Sequence, residues 1–180
     1  LEYFLAWLQR FYRSAMAGKL LQGQAVFIAG DPGRGKTLLT NRIISLLVGG
    51  HADAARFLLG ETNFNRELFE VGLWTIDDCT PGDNAADHKK FSSLIKKCVA
   101  NTNFEFHAKF RDSCMVQWAG RIIVTGNLDA ESLRILPDVD TSILDKLLLF
   151  KAGQRVTHFP DRYELEATIK AELPHFAAWL

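Results

Sequence analysis

The run Gly30-Asp31-Pro32-Gly33-Arg34-Gly35-Lys36-Thr37 follows the pattern GxxxxGK[ST]. Glycines at these spacings let the backbone curl until successive N–H groups point at one anion. A helix starting at the end of the loop adds its positive N-terminal end. A lysine at position 36 reaches the outer phosphates of a nucleoside triphosphate, and the hydroxyl of Thr37 is placed to ligate Mg²⁺. All eight residues of the run are candidate ligands for ATP, with Thr37 also a metal ligand. A glycine-rich turn without a ligand is the competing reading. The apolar run before the motif and the helical pattern after it favour the phosphate loop.

Two further constellations could complete such a site. Leu73-Trp74-Thr75-Ile76 ends in the acids Asp77 and Asp78. An acid at a strand end beside a phosphate loop holds Mg²⁺, and a second acid polarises the attacking water. Asp77 is assigned to the metal and Asp78 to the water. Adjacent acids also simply end strands, so the assignment depends on the phosphate loop. Ile122-Ile123-Val124-Thr125-Gly126-Asn127 ends in an amide, and Asn127 there could bond the γ-phosphate or orient the water. A turn-forming Asn is the alternative.

A different chemistry is suggested between positions 88 and 111. Lys89, Lys90, Lys96, Lys97, Lys109 and Arg111 face a single acid, Glu105. Phe104, Phe106 and Phe110 alternate with polar residues, the period of a β-hairpin. A hairpin tip carrying Lys109 and Arg111 could grip phosphates, with Phe110 or His107 near a base or sugar. Lys89 to Lys97 could equally form a solvated face.

These residues need a scaffold. Leu1 to Leu21 repeats Leu1, Phe4, Leu5, Leu8, Phe11 and Tyr12 at helical spacing, so a helix packed on the core is expected there. Ala25 to Ala29 reads as a buried strand. Thr37 to Val48 reads as a helix stopped by Gly49-Gly50. Pro81 to Asn84 is a loop, Ala85 to Ala100 a helix, and Arg121 to Thr125 a strand. Thr141 to Asp145 could close a helix, and Leu147 to Phe150 could be a strand. Asp161 to Leu180 reads as mostly helical with a break near Pro174. Strands alternating with helices imply an α/β fold with a largely parallel central sheet flanked by helices.

Bulk properties narrow the classes. A chain of 180 residues, 48% hydrophobic and 23% charged, makes one ordinary core. Twenty-one basic residues balance 21 acidic ones, so contact with nucleic acid must come from a local patch. Cys79, Cys98 and Cys114 form no CxxC pair, which argues against a disulfide framework and for a reducing, cytoplasmic compartment. No apolar run is long enough to span a bilayer. The chain is expected to be one domain over 1–180, residues 1–22 supplying an N-terminal helix, cut from a longer protein.

Taken in order, the motifs at Gly30–Thr37, Leu73–Asp78, Asn103–Asp112 and Ile122–Asn127 resemble superfamily 3 helicases of the AAA+ class. More narrowly, they are similar to the helicase domains of phage and plasmid primase–helicases, as is the tail from Glu172 to Leu180. The resemblance implies a P-loop NTPase fold, ATP and Mg²⁺ as cofactors, single-stranded DNA as partner, and a hexameric homo-oligomeric ring acting in DNA replication. It also implies that Lys109 and Arg111 match the channel hairpin and Asn127 the sensor. The family usually carries an arginine finger in a segment like Ser142 to Leu147. Here that position is Lys146, which brings a point charge without a planar fork. Either Lys146 acts in trans, or Arg134 takes the role, or hydrolysis is slow. An ATP-dependent assembly or loading module is the alternative to a translocase. A small-molecule kinase would need an arginine-rich lid, which the sequence lacks.

Overall fold

The computed structural model describes residues 1–79, 85–130, 132–136, 141–154 and 160–180. The Pro81 to Asn84 loop lies outside the described residues. Helix α1 (Glu2–Met16) leads through a strap to β1 (Ala25–Ala29). The phosphate-loop segment enters one continuous helix: α2 (Lys36–Leu38), a π-helical stretch (Leu39–Ile44) and α3 (Ser45–Leu47). Then come β2 (Ala52–Asp53), α4 (Ala55–Leu58), α5 (Arg66–Phe69) and β3 (Leu73–Asp77). Helix α6 (Ala85–Ala100) precedes the hairpin β4 (Asn103–Phe106) and β5 (Cys114–Gln117). Strand β6 (Arg121–Gly126), two 3₁₀ turns (Ser132–Ile135 and Leu144–Lys146), β7 (Leu147–Lys151) and α7 (Arg162–Trp179) complete the order.

Five strands form a sheet in the order β2-β3-β6-β1-β7, every neighbouring pair parallel. The strands are apolar because both faces are covered. On β1, Ala25 and Phe27 point into one layer, while Val26 and Ile28 point into the other. The first layer holds Phe91, Ile95 and Cys98 of α6, with Trp74, Ile122 and Val124 beneath. The second holds Phe4, Trp7, Leu8 and Phe11 of α1, with Ile44, Leu47 and part of α7. From β1 the chain crosses β6 and β3 to reach β2, whereas from β6 it crosses β1 to reach β7. Leaving neighbouring strands in opposite directions opens a crevice at their carboxyl ends, where open α/β sheets bind ligands.

Several expectations are corrected. Helix α1 stops at Met16, not near Leu21, because Gly18 takes φ +61. Lys19 N–H then bonds Ser14 C=O and Gly18 N–H bonds Ala15 C=O, a Schellman closure. Leu1 is exposed rather than packed. The second hairpin strand lies at Cys114–Gln117, beyond Asp112, so the tip is longer than expected. Strand β2 is too short to show a period. Residues 141–143 form a turn and only a 3₁₀ turn follows. Helix α7 continues through Pro174. Proline loses its own N–H bond and its ring crowds the Lys170 carbonyl, but Leu173, Phe176 and Ala177 stay packed on the second layer and hold the helix across it. Among the described residues, no helix is long and apolar enough to cross a membrane. The three cysteines are free thiols.

Candidate functional site

The phosphate-loop residues lie between the carboxyl end of β1 and α2. Gly33 and Gly35 take φ +75 and +80, a region that residues with a Cβ rarely enter. At Gly30 the constraint is space: a Cβ there would sit 2.6 Å from the Cβ of Ala152, just past β7. Arg34 donates to Asp31 at 2.9 Å across the loop. Pro32 and Asp31 are exposed at its crest.

Lys36 is only 7% exposed. Its ammonium folds over the loop and donates to the Gly30 carbonyl at 2.5 Å, the Asp31 carbonyl at 3.2 Å and Asn127 Oδ1 at 3.2 Å. Among the described residues these partners are all neutral, so a nearly buried cation has no anion beside it. That environment fits an incoming phosphate. The contact also brings Asn127, at the tip of β6, against the phosphate-loop lysine.

The Thr37 hydroxyl donates to Asp77 Oδ2 at 2.9 Å. The hydroxyl of Thr125, which is 2% exposed, donates to the other oxygen, Asp77 Oδ1. Asp77 is thus oriented from both sides, and the β3–β6 register that pairs it with Thr125 makes this possible. Thr125 was not singled out from the sequence; a hydroxyl in an otherwise apolar strand is the signal that could have found it. Among the described residues no group of three His, Cys, Asp or Glu forms a metal cage. One hydroxyl and one carboxylate suit Mg²⁺, which keeps waters and takes phosphate oxygens as further ligands. The next residue, Asp78, takes φ +46, its N–H bonded to the Thr125 carbonyl at 3.1 Å. Asp tolerates this region better than most residues, and such strain gathers at functional positions.

The two finger candidates are split by the fold. Arg134 is exposed in the 3₁₀ turn after β6, whose Ser132 carbonyl approaches Gly126. Lys146 precedes Leu147, which pairs with Ala25 at the amino end of β1. The chain's own phosphate loop is a strand length away, roughly 13 Å. Lys146 therefore cannot serve its own site. Its ammonium also donates to Asp145 at 2.7 Å, which holds the Asp145 carboxyl below its ordinary pKa.

The hairpin forms a second region. Phe110 stands at its tip, fully exposed, at φ +60. A bulky residue in that region is a backbone outlier. Lys109 lies 5.6 Å from the ring centroid of Phe64, a contact the sequence did not disclose. His107 meets Glu105 at 3.0 Å. Hydrogen bonds from Ser113 and then His107 keep the Glu105 carboxyl below its usual pKa. Arg56, Phe64, Arg66, His107, Lys109 and Arg111 line a cleft of about 750 Å³ that also holds Asp53, Glu61 and Glu67. Arg56 pairs with Glu61 and Arg66 with Glu70, while among the described residues Lys109 and Arg111 have no acidic partner. The α6 lysines divide: Lys90 donates to Gly60 and Lys96 to Ser142, whereas Lys89 and Lys97 are exposed.

A parallel sheet, a glycine loop joining its interior strand β1 to a helix, and a carboxylate two strands away on β3 define an α/β P-loop NTPase fold of the ATPase type. Known structures share it. The apo structure of the NrS-1 C-terminal region (305-718) superposes with a TM-score of 0.65 at 16% identity, over 86% of this chain and 36% of that one. The A form of the same region gives 0.63 at 15% identity, over 86% and 35%. The chain thus spans about a third of those structures. A looser likeness, TM-score 0.47 at 13% identity over 94% and 45%, is to JCV helicase in complex with a thiazolopyridine acetamide. No protein-family model matches the chain, and no curated protein does either.

Proposed function

We propose that this chain is the ATP-driven motor of a superfamily 3-type helicase or translocase acting on single-stranded DNA. The observation that carries the reading is the convergence, at the carboxyl ends of β1, β3 and β6, of two bonded pairs: Lys36 with Asn127, and Thr37 with Asp77. The backbone of Gly30 to Thr37 and the Lys36 ammonium bind the triphosphate. Thr37 and Asp77 would hold Mg²⁺, which would neutralise charge on the phosphates. The Asp78 carboxylate accepts a proton from the attacking water, and Asn127 senses the outer phosphate through the contact it now makes with Lys36. Lys109 and Arg111 grip phosphates in the cleft while Phe110, Phe64 and His107 offer faces to bases. The motor works as a ring, probed by mass measurement with and without ATP and DNA, in phage or plasmid replication.

The test is ATPase activity with and without single-stranded DNA. Turnover should rise with DNA and vanish in Lys36→Ala. A ring that hydrolyses ATP at one rate regardless of DNA sinks the translocase reading.

One observation favours a second reading, an ATP-dependent assembly or loading module. The cation at the finger position is a lysine held by Asp145. Steady hydrolysis without strand displacement, on an assembled oligomer, would select it.

A further inference from the structure

Asn65 begins α5 at its N-cap, where an Asn side chain ordinarily accepts from the first backbone N–H groups of its own helix. Here no such bond forms. The residue is 3% exposed, and its side-chain amide lies along the hairpin instead. Its Nδ2 donates to the Glu105 carbonyl at 2.9 Å, and its Oδ1 accepts from the His107 N–H at 2.7 Å. Its own N–H donates to the His107 carbonyl at 3.2 Å. Three bonds thus join one loop residue to the end of β4, as a strand partner would. The residue before it is Phe64, half exposed, with Lys109 over its ring. The residues after Glu105 and His107 lead into the tip that bears Lys109, Phe110 and Arg111.

We propose that Asn65 is a positioning residue that splices the Phe64 loop to the hairpin, fixing the spacing between Phe64 and the cations Lys109 and Arg111 on the two walls of the cleft for one DNA strand. The inference rests on the nucleic-acid reading above. A stacked base needs an aromatic face on one side and phosphate-binding cations at a fixed distance on the other. Phe64 sits in a short loop, tied locally by its N–H to Thr62 Oγ1 at 3.1 Å. The tip turns through the strained Phe110. Clamped together they present one preformed surface, which lowers the ordering cost of binding.

The experiment measures the Kd of a labelled oligo-dT by anisotropy and that of a fluorescent ATP analogue with Mg²⁺. Asn65→Asp keeps the acceptor for His107 and loses the donor to Glu105. It should weaken oligonucleotide binding about tenfold and leave the ATP analogue within twofold. In a Phe64→Ala background the same change should cost less than twofold more, because the wall it positions is gone. Additive losses mark a merely structural residue and overturn the assignment. Should Asn65→Asp unfold, amide exchange in the unsubstituted chain decides. One clamp protects the amides of Asn65 and His107, so their exchange rates should agree within about threefold; fast exchange at His107 alone overturns it. An unsubstituted chain that binds no oligonucleotide overturns the DNA reading itself. Unchanged binding by folded Asn65→Asp overturns only the role of Asn65.

Discussion

Arg121 is a cation inside the sheet, 1% exposed and without a carboxylate among the described residues. Its Nη1 donates to the carbonyls of Leu21, Ala119 and Gly120, and its guanidinium lies 5.2 Å from the Phe11 ring. Among the described residues, Nε and Nη2 find no partner. Burial, with Arg10 nearby, pulls its pKa down to about 10. The unpartnered side faces Gly23, where a Cβ would come within 2.5 Å of Nε. To make room the guanidinium would have to leave its three Nη1 bonds, so Gly23→Ala should destabilise the fold by roughly 1–3 kcal/mol. A urea titration checks this, and an unshifted midpoint refutes it. The thiols make a second residue-scale case. Cys114 is exposed, Cys79 half-buried and Cys98 buried. Burial pushes the Cys98 pKa up to about 12; burial and then Asp53, Asp77, Glu61 and Asp78 raise that of Cys79. Thiolate is the reactive form, and a raised pKa lowers its fraction at pH 8. Labelling followed by mass spectrometry should therefore run Cys114, then Cys79, with Cys98 silent until unfolding.

At the scale of elements, the hairpin stands on an aromatic base. Trp118, just after β5, stacks on Trp74 of β3 with ring centroids 4.0 Å apart. Phe69 meets Trp74, Phe104 and Trp118, and Trp118 Nε1 donates to the Val71 carbonyl at 2.8 Å. The strand that ends in Asp77 is thus packed against the root of the hairpin that ends in Lys109 and Arg111. In the proposed motor, this packing would connect the nucleotide site to the hairpin, with Asn65 joining it from the other side. The charges on the two elements should behave differently. Each of Lys109→Ala and Arg111→Ala should lower the slope of log affinity against log salt for single-stranded DNA by about 0.7. Lys89→Ala, on the solvated face of α6, should leave it unchanged. Equal slopes for all three would remove the hairpin from the interface.

For the whole molecule, the separation of Lys146 from its own phosphate loop makes a subunit incomplete if that cation takes part in turnover. Asp78→Asn should lose hydrolysis by roughly 10²–10⁴-fold with binding retained. Lys146→Ala should lose hydrolysis with little change in stability, since exposed ion pairs contribute little. Mixed, the two chains create interfaces with Asp78 from one subunit and Lys146 from the other, and activity should return. If mixed oligomers form and stay inactive, Lys146 has no trans role and Arg134 becomes the residue to test.

The phosphate loop, β1, α6, the strand into Asp77 and the strand into Asn127 were legible in the sequence because each is written in neighbouring residues. Glycines mark where the backbone must turn, and burial on both faces makes parallel strands continuously apolar. The alternation of Phe104 and Phe106 likewise announced a hairpin, though not where its second strand lay. What the sequence could not disclose depends on residues far apart meeting. Thr125 beside Asp77 follows from strand register, Asn127 on Lys36 from β6 lying next to β1, and Phe64 under Lys109 from the Asn65 clamp. The opposite placement of Lys146 and the phosphate loop follows from β7 running parallel to β1. Local chemistry chooses the backbone of each segment, whereas burial of shared apolar faces chooses which segments become neighbours. A site built from several segments therefore exists only in the folded chain.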